Sequence, residues 1–135
     1  RAVNSLVLQT VFNPDEYWQS VEVAHELAFG YGHLTWEWQP FTRIRSFVHP
    51  AMFAALYALL AKLGLDSRLA VAVAPRLLQG LFAAVGDLYV YRLARRLFGP
   101  SAGKWAFFAS LSNWFMFYCM VRTFSNSLEA VLTVR

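Results

Sequence analysis

The chain has 135 residues, of which 58% are hydrophobic, 17% are aromatic and only 15% are charged. Soluble domains are closer to half apolar and a quarter charged, so this composition excludes a typical soluble domain and favours a membrane protein. The net charge is +4, but the basic residues form no stripe interleaved with exposed aromatic residues, which excludes nucleic acid as a partner.

The first part of the chain predicts the end of one membrane span followed by an amphipathic helix. The chain begins without methionine and stops inside an apolar run, so we interpret it as a piece of a longer polytopic protein. Residues 3–12 predict the end of the span, and Asn13-Pro14-Asp15-Glu16 predicts a helix start with a capping asparagine, a proline in the first turn and a glutamate three residues after the cap. Helical spacing places four polar side chains on one face, namely Asp15, Gln19, Glu22 and either His25 or Glu26. This helix is too polar to span a membrane, and Gly30 and Gly32 are expected to end it.

The rest of the chain predicts further helices around an irregular segment. Residues 34–45 are irregular, and their indole rings suit a membrane interface. A short apolar helix over 50–65 is expected to end near Gly64, with Asp66 starting the next helix. Residues 69–91 are long enough to span, with a kink or restart at Pro75, and Gly99-Pro100 stops this helix. Residues 105–121 predict a second span, and Asn126 predicts the N-cap of a last helix.

Charges suggest how these spans are oriented. Basic residues flank the turn near residue 99, which favours a cytosolic turn: Arg92, Arg95, Arg96 and Lys104. One crossing would then separate this turn from Asp15, so Asp15, residues 36–38 and Arg122 are expected on the non-cytosolic side. Arg76 and Asp87 lie inside an apolar helix and are expected to pair with another helix or to lie near an interface. The predicted organisation is the end of a first span over 1–12, a luminal loop with juxtamembrane helices over 13–68, and spanning helices over 69–135.

Several phrases of the chain carry a resemblance to a known family. They are PDEYWQSVEVAH, FGYGHLTWEW, APRLLQGLFAAVGDLY and RTFSNSLEAVLT. Together they resemble the amino-terminal module of glycosyltransferase family 22, the polytopic mannosyltransferases that use dolichyl-phosphate mannose, over about Phe12 to Thr133. The wording is most similar to the branch that adds the third mannose of the GPI-anchor precursor. The resemblance implies an all-α fold of polytopic transmembrane helices of the GT-C type with a luminal amphipathic-helix loop. It also implies a multi-pass protein of the endoplasmic reticulum membrane with a luminal active site.

The resemblance also implies the chemistry. The donor would be dolichyl-phosphate mannose, the acceptor a GPI glycolipid, and the surroundings membrane lipid. Transfer of mannose with inversion needs a carboxylate that accepts the proton of the attacking hydroxyl, and Asp15 matches the family's loop aspartate. The departing phosphate needs cations or hydrogen-bond donors. Acids in a first helical turn also stabilise the helix dipole by roughly 0.3–1 kcal/mol, which is the ordinary structural role of such residues. No cofactor is predicted.

The remaining candidates for substrate binding are Glu16, Glu22, His25, Trp36, Glu37, Arg45 and Arg122. His25 would either bind the acceptor or support Glu22, and the indole rings at positions 36 and 38 would either stack on substrate or anchor the interface. Glu37 would either hold acceptor hydroxyls or pair with Arg45, which with Arg43 is the nearest cation to the acidic segment. Asp15 and His25 are about 15 Å apart at 1.5 Å per residue, so one ion could not bind them and Glu22 together, and no metal site is predicted.

Two other functions are compatible with the same residues. A sister enzyme of the family would share the donor and act on the lipid-linked N-glycan precursor or on a later GPI mannose. A transporter or non-catalytic scaffold would instead use Asp15, Glu22 and His25 as a proton or ion path. That function predicts ionisable residues along the spanning helices, where only Arg76 and Asp87 occur.

Overall fold

The fold is built from helices joined by short connections. The computed structural model describes residues 1–8, 10–42 and 44–135, and no strand occurs among them, which confirms the all-α class. The segments in chain order are α1 (Ala2–Val7), a π-helical turn (Tyr17–Val21), α2 (Glu22–Phe29), a 3-10 turn (Trp36–Trp38), α3 (Val48–Lys62), α4 (Arg68–Phe98), α5 (Pro100–Ser112), α6 (Trp114–Cys119) and α7 (Ser125–Thr133).

The chain divides into two compact units. One unit is Thr10–Pro75, and the other combines Arg1–Gln9 with Arg76–Arg135. We call them the loop unit and the bundle unit. The division falls within α4, at Pro75, so the first turns of this helix belong to the loop unit and the remainder to the bundle unit.

The loop unit is centred on the packing of α2 against α3. Val23 and Ala24 of α2 and Phe53 and Tyr57 of α3 are fully buried, as expected for an amphipathic helix that turns its apolar side inward. Gly30 ends α2 with a φ of 78°, in the left-handed region that glycine tolerates, as the sequence predicts.

The next helix boundaries differ slightly from the prediction. Helix α3 begins at Val48, two residues before the predicted start, and ends at Lys62. Gly64 follows with a φ of 65°. The predicted start of α4 at Asp66 is wrong. Ser67 supplies the cap, because its Oγ accepts a hydrogen bond from the Ala70 backbone N–H at 3.3 Å.

Helix α4 passes through Pro75 without a restart. Among the described residues it is the one helix that is long and apolar enough to cross a membrane, and α3 is a shorter apolar helix. Proline has no N–H, so it cannot donate the helical hydrogen bond to the Val71 carbonyl. The Tyr57 hydroxyl donates to that carbonyl instead, at 3.0 Å. Of the kink or restart predicted at Pro75, the restart is therefore wrong. The helix continues to Phe98, and Gly99, with a φ of 94°, separates it from α5.

The bundle unit is packed around the rest of α4. Two glycines of α4 allow close approach, because a Cβ atom on Gly80 would collide with Ser5 Oγ of α1, and one on Gly86 would lie 2.8 Å from Val131 of α7. Small residues serve this purpose at helix interfaces in membranes. A buried cluster fills the space beside them: Ala83, Met120, Val121 and Val131.

The two charges inside α4 have partners elsewhere in the bundle unit, as predicted. The Arg1 guanidinium donates to both oxygens of the buried Asp87 carboxylate, at 2.7 and 2.9 Å. It also donates to the carbonyls of Ser110 and Met116, each at 3.0 Å. Arg76 Nη1 donates to the Leu8 carbonyl at 3.0 Å.

Three predicted boundaries in the bundle unit are wrong. Helix α1 ends at Val7, short of the expected residue 12. The expected continuous span over 105–121 is interrupted at Asn113, whose side chain accepts hydrogen bonds from the Phe115 and Met116 backbone N–H groups and so starts a new helix. Asn126 is the second residue of α7 and not its cap, because the extended residue Phe124 precedes the helix.

Candidate functional site

Asp15 lies in a tight turn just before the π-helical turn that leads into α2. The Asn13 side-chain oxygen accepts a hydrogen bond from the Asp15 backbone N–H at 3.2 Å, and the Pro14 carbonyl accepts one from the Tyr17 N–H at 3.0 Å. The Asp15 side chain is half-buried, and its carboxylate makes no hydrogen bond or ion pair with any residue that the structure describes. A carboxylate held on a rigid turn without an internal partner is available to accept a proton from a bound molecule.

Glu16, the neighbour of Asp15, is enclosed within the turn. It is 3% exposed, and its Oε1 accepts a hydrogen bond from the Phe12 backbone N–H at 3.1 Å. This bond is close to the predicted capping arrangement, with the carboxylate reaching one residue beyond the cap. The two neighbouring acids therefore have different environments, one open and one enclosed in the turn.

Glu22 and His25 hold the loop that follows α2. Glu22 Oε1 accepts a hydrogen bond from the His33 backbone N–H at 3.0 Å. The His25 Nδ1 lies 3.0 Å from the Tyr31 carbonyl, to which the protonated ring nitrogen donates. A Cβ atom on Gly32 would lie 3.1 Å from Glu26 Cβ and 3.4 Å from Glu22 Oε1, so the loop passes directly over the helix. The sequence did not predict the contacts of Tyr31 and His33, although the Gly-Tyr-Gly pattern after a helix indicates such a return.

Aromatic rings surround His25 in the loop unit. Its ring lies 4.7 Å from Phe29, 4.8 Å from Tyr31 and 6.2 Å from Tyr57, measured between centroids. Tyr31 is 68% exposed, whereas Tyr57 is fully buried. Burial, with a smaller contribution from the charge of Glu22, raises the pKa of the Tyr57 phenol well above its ordinary value, so this hydroxyl stays a donor across the physiological range.

The two tryptophans that flank Glu37 have opposite environments. Trp36 is 63% exposed and its indole is open to a ligand or a membrane surface. Trp38 is buried, donates from Nε1 to the Trp18 carbonyl at 3.2 Å, and lies 4.8 Å from the Phe47 ring. Stacking on a substrate is therefore open to Trp36 only, because the ring of Trp38 is enclosed.

Glu37 and Arg45 form an ion pair, one of the two arrangements that the sequence left open. Arg45 Nη2 lies 3.2 Å from Glu37 Oε1, and the Glu37 carbonyl accepts a hydrogen bond from the Ile44 N–H at 3.3 Å. Arg43 lies outside the described residues.

Arg122 belongs to the bundle unit. Its side chain is buried, its Nε donates to the Tyr118 carbonyl at 3.2 Å, and its guanidinium carbon lies 4.1 Å from the centre of the Tyr118 ring. The structure therefore gives this guanidinium a fixed position over an aromatic face.

Seven of the eight predicted site residues fall in the loop unit, and Arg122 falls in the bundle unit. Within the loop unit, Glu22 and His25 share one loop, Glu37 and Arg45 share one ion pair, and Asp15 and Glu16 share one turn. In the part of the chain that the structure describes, no group of three acids, histidines or cysteines is arranged to hold a metal ion.

Comparison with known proteins gives one consistent result. Residues 1–135 match the Alg9-like mannosyltransferase family. The chain is 54% identical over 134 residues to "Mannosyltransferase APTG1" of Arabidopsis thaliana, covering 99% of this chain and 24% of that protein. It is 49% identical over 133 residues to "GPI mannosyltransferase 3" of Yarrowia lipolytica, covering 98% of this chain and 26% of that protein. It is 46% identical over 134 residues to "GPI alpha-1,2-mannosyltransferase 3" of Homo sapiens, covering 99% of this chain and 24% of that protein.

The resemblance predicted from the sequence is thereby confirmed, including the branch that it favoured. The chain spans about a quarter of the length of these relatives. No solved structure matches it.

Proposed function

Because the chain belongs to the Alg9-like mannosyltransferase family, we propose that the whole protein transfers mannose from dolichyl-phosphate mannose to a GPI-anchor precursor. The product would carry a third mannose in α-1,2 linkage. The names of the relatives support the GPI branch, since one relative is named GPI mannosyltransferase 3 and another GPI alpha-1,2-mannosyltransferase 3. We place the reaction in the lumen of the endoplasmic reticulum, in a multi-pass protein of the GT-C type whose residues 13–68 form a luminal segment.

The observation that carries the proposal is the carboxylate of Asp15, which lies on a hydrogen-bonded turn and has no partner among the residues that the structure describes. The acceptor hydroxyl oxygen attacks the anomeric carbon of the mannose while the bond from that carbon to the phosphate oxygen breaks. The phosphate leaves with the electron pair, the configuration at the carbon inverts, and Asp15 takes the hydroxyl proton. The hydrogen-bonded turn holds Asp15 in place, so positioning supplies much of its effect.

The other predicted residues are assigned roles according to the contacts and exposure of their side chains. Arg45 is oriented by its ion pair with Glu37. We assign it to the donor phosphate, because a guanidinium group binds phosphate oxygens through two parallel hydrogen bonds. The exposed indole of Trp36 is assigned to a sugar face or the polyprenyl chain. Arg122 stays a second candidate for the phosphate.

Three residues act on the site indirectly in this scheme. Glu22 and His25 position the loop with Tyr31 and His33, and that loop would present the acceptor. Glu16 is assigned a positioning role in place of direct substrate contact, because its carboxylate is enclosed in the turn that carries Asp15.

The test uses the full-length protein in microsomes that lack the endogenous mannosyltransferase. Mannose transfer from dolichyl-phosphate mannose to a GPI precursor with two mannoses is followed for wild type and for Asp15→Asn. We expect a three-mannose product from wild type and a loss of at least about a hundredfold in the variant, the usual contribution of a general base. Asp66→Asn is the matched control, because Asp66 is an exposed acid in the same unit outside the site, and it should leave the rate unchanged.

Three results would contradict the proposal in different ways. Equal activity of wild type and Asp15→Asn would remove Asp15 as the base. Extension of an N-glycan precursor, with no extension of the GPI precursor, would move the protein to the sister branch of the family. Absence of transfer to either acceptor would favour the transporter or scaffold function.

A further inference from the structure

A basic cavity in the bundle unit has no place in the chemistry proposed above. It has a volume of about 340 Å³ and lies between α4 and the end of α7. Its lining residues are Tyr89, Arg92, Leu93, Arg96, Val134 and Arg135. None of them is a predicted site residue, and among the described residues no acidic side chain lines the cavity.

The arginines that line the cavity come from two different segments of the chain. Arg92 and Arg96 are four residues apart on α4 and so share one face of the helix, while Arg135 comes from the other wall. Arginines in a last helical turn ordinarily stabilise the helix dipole. That effect accounts for basic residues near Phe98, but it does not explain why a third arginine, Arg135, lines the same cavity from another segment.

Three like charges around one space repel each other unless an anion lies between them. Guanidinium groups bind phosphate oxygens through paired, charge-assisted hydrogen bonds, which makes arginine the usual residue for this ligand. Tyr89 also lines the cavity, and its side chain carries a neutral donor group. The volume is at the lower end of the range for small-molecule sites and suits a headgroup.

The neighbourhood of the cavity is apolar, which favours a lipid over a soluble anion. Val134 also borders a crevice of about 50 Å³ that is lined mainly by apolar residues such as Val90, Met116 and Met120, together with Asp87, whose carboxylate is paired with Arg1. On α4 itself, Leu88, one turn before Arg92, is 48% exposed, and Leu93 is 42% exposed. Basic pockets beside spanning helices hold lipid headgroups in this way, with the acyl chains along the helix surface.

We propose that the cavity lined by Arg92, Arg96 and Arg135 binds a phosphate group that belongs to the headgroup of an anionic membrane lipid. The acyl chains of that lipid lie along the exposed leucines of α4. None of the residues assigned to mannose transfer lines this cavity, and the lipid is assigned as a structural ligand of the bundle unit and not as a substrate.

The test measures binding of phosphatidylinositol to the full-length protein. The protein is placed in nanodiscs of phosphatidylcholine with increasing fractions of phosphatidylinositol, and bound lipid is counted by native mass spectrometry. Arg92→Gln/Arg96→Gln should weaken binding by at least about tenfold, because two charge-assisted contacts are lost. Arg95→Gln/Lys104→Gln is the matched control. It removes the same charge from the same turn, but neither residue lines the cavity, and binding should stay at the wild-type level.

A second pair of variants keeps the test decisive if the glutamine pair does not fold. Arg92→Lys/Arg96→Lys retains the charge but loses the planar fork, and binding should weaken several-fold relative to wild type. Equal weakening by the glutamine pair and its control would overturn the proposal, since it would indicate a diffuse effect of net charge. Unchanged binding in both cavity variants would also overturn it.

A separate arm identifies the source of the phosphate. Inorganic phosphate is added to the protein in phosphatidylcholine nanodiscs, and thermal stability is compared with that in nanodiscs that contain phosphatidylinositol. We expect stabilisation by the lipid and little by inorganic phosphate. Stabilisation by inorganic phosphate with no response to the lipid would overturn the assignment to a lipid.

Discussion

Asp15 and Glu16 are adjacent in sequence, yet the turn gives their carboxylates different surroundings. Asp15 is half-buried and has no partner among the described residues, whereas Glu16 is buried and accepts a hydrogen bond from the Phe12 N–H. Pairs of acids in unlike environments commonly have unlike functions. The sequence predicted the turn because asparagine and proline have well-defined preferences at a helix start. It could not distinguish the two acids, because their orientation depends on how the turn packs.

Glu16→Gln should be nearly neutral for mannose transfer. The amide oxygen of glutamine can still accept the hydrogen bond from Phe12, so the turn and Asp15 keep their positions. Glu16→Ala removes the acceptor and should lower stability by about 1 kcal/mol, the usual effect of losing a cap. Transfer rates and thermal unfolding of both variants check this difference. A collapse of activity in Glu16→Gln at normal stability would show that the charge of Glu16 takes part in the chemistry.

The ion pair of Glu37 and Arg45 was one of the contacts that the sequence could predict. Both residues lie in one short irregular segment, so their pairing was one of only two predicted arrangements. The partner of Glu22 was not predicted, because His33 contributes its backbone N–H and not its side chain. Contacts of the backbone depend on the path of the loop, and side-chain chemistry carries no information about it.

At the scale of elements, one tyrosine explains how a helix continues through proline. Pro75 leaves the Val71 carbonyl without its helical donor, and the Tyr57 hydroxyl of α3 fills that place at 3.0 Å. The bond joins α3 to the first part of α4 within the loop unit. The sequence predicts a kink or a restart at proline. It could not exclude the restart, because the compensating donor, Tyr57, belongs to another helix.

A double-mutant cycle tests this compensation. Tyr57→Phe should destabilise the full-length protein by about 1 kcal/mol, because the Val71 carbonyl loses its partner in a partly buried position. In a Pro75→Ala background the new N–H satisfies the carbonyl, so the same substitution should cost much less. Thermal unfolding of the four proteins gives the coupling free energy. Equal costs in both backgrounds would show that the hydroxyl does not act through this carbonyl.

Asn113 illustrates a boundary that composition conceals. It is a single polar residue in an apolar run, and the run as a whole reads as one span over 105–121. The structure ends α5 at Ser112 and starts α6 at Trp114, because the Asn113 side chain accepts two backbone N–H groups. Asparagine competes with the helical backbone in this way, and hydropathy averaged over a window does not register it.

At the scale of the whole molecule, helical content and membrane character were predictable, whereas the partners of buried charges were not. Asp87 in an apolar helix had to be paired, since an isolated intramembrane charge is costly. That Arg1 would be the partner depends on the packing of α1 against Gly80, and close packing of this kind appears only in three dimensions. The sequence pattern likewise did not predict which residues belong to the loop unit and which to the bundle unit. Nor did it predict that the division falls inside one helix.

The Arg1–Asp87 pair joins segments from four parts of the bundle unit and should behave as one cooperative group. Arg1 also binds the carbonyls of Ser110 at the end of α5 and Met116 of α6, so Asp87→Leu leaves its guanidinium buried without a counter-charge. Breaking a buried pair in this way costs roughly 3–5 kcal/mol, whereas replacing both partners by apolar residues is often neutral. Thermal unfolding of the full-length protein should therefore show a large loss in Asp87→Leu and substantial recovery in Arg1→Met/Asp87→Leu.

Ser110→Ala is the matched control for that experiment. The Ser110 hydroxyl donates to Asp87, so its loss removes one contact but leaves both charges paired, and the expected cost is about 1 kcal/mol. If the double variant were as unstable as Asp87→Leu, the attraction between the two charges would not be what holds these segments together. The packing of α1 against the glycine of α4 would then carry the stability of the bundle unit, and Gly80→Ala would be the more damaging substitution because its Cβ atom collides with Ser5.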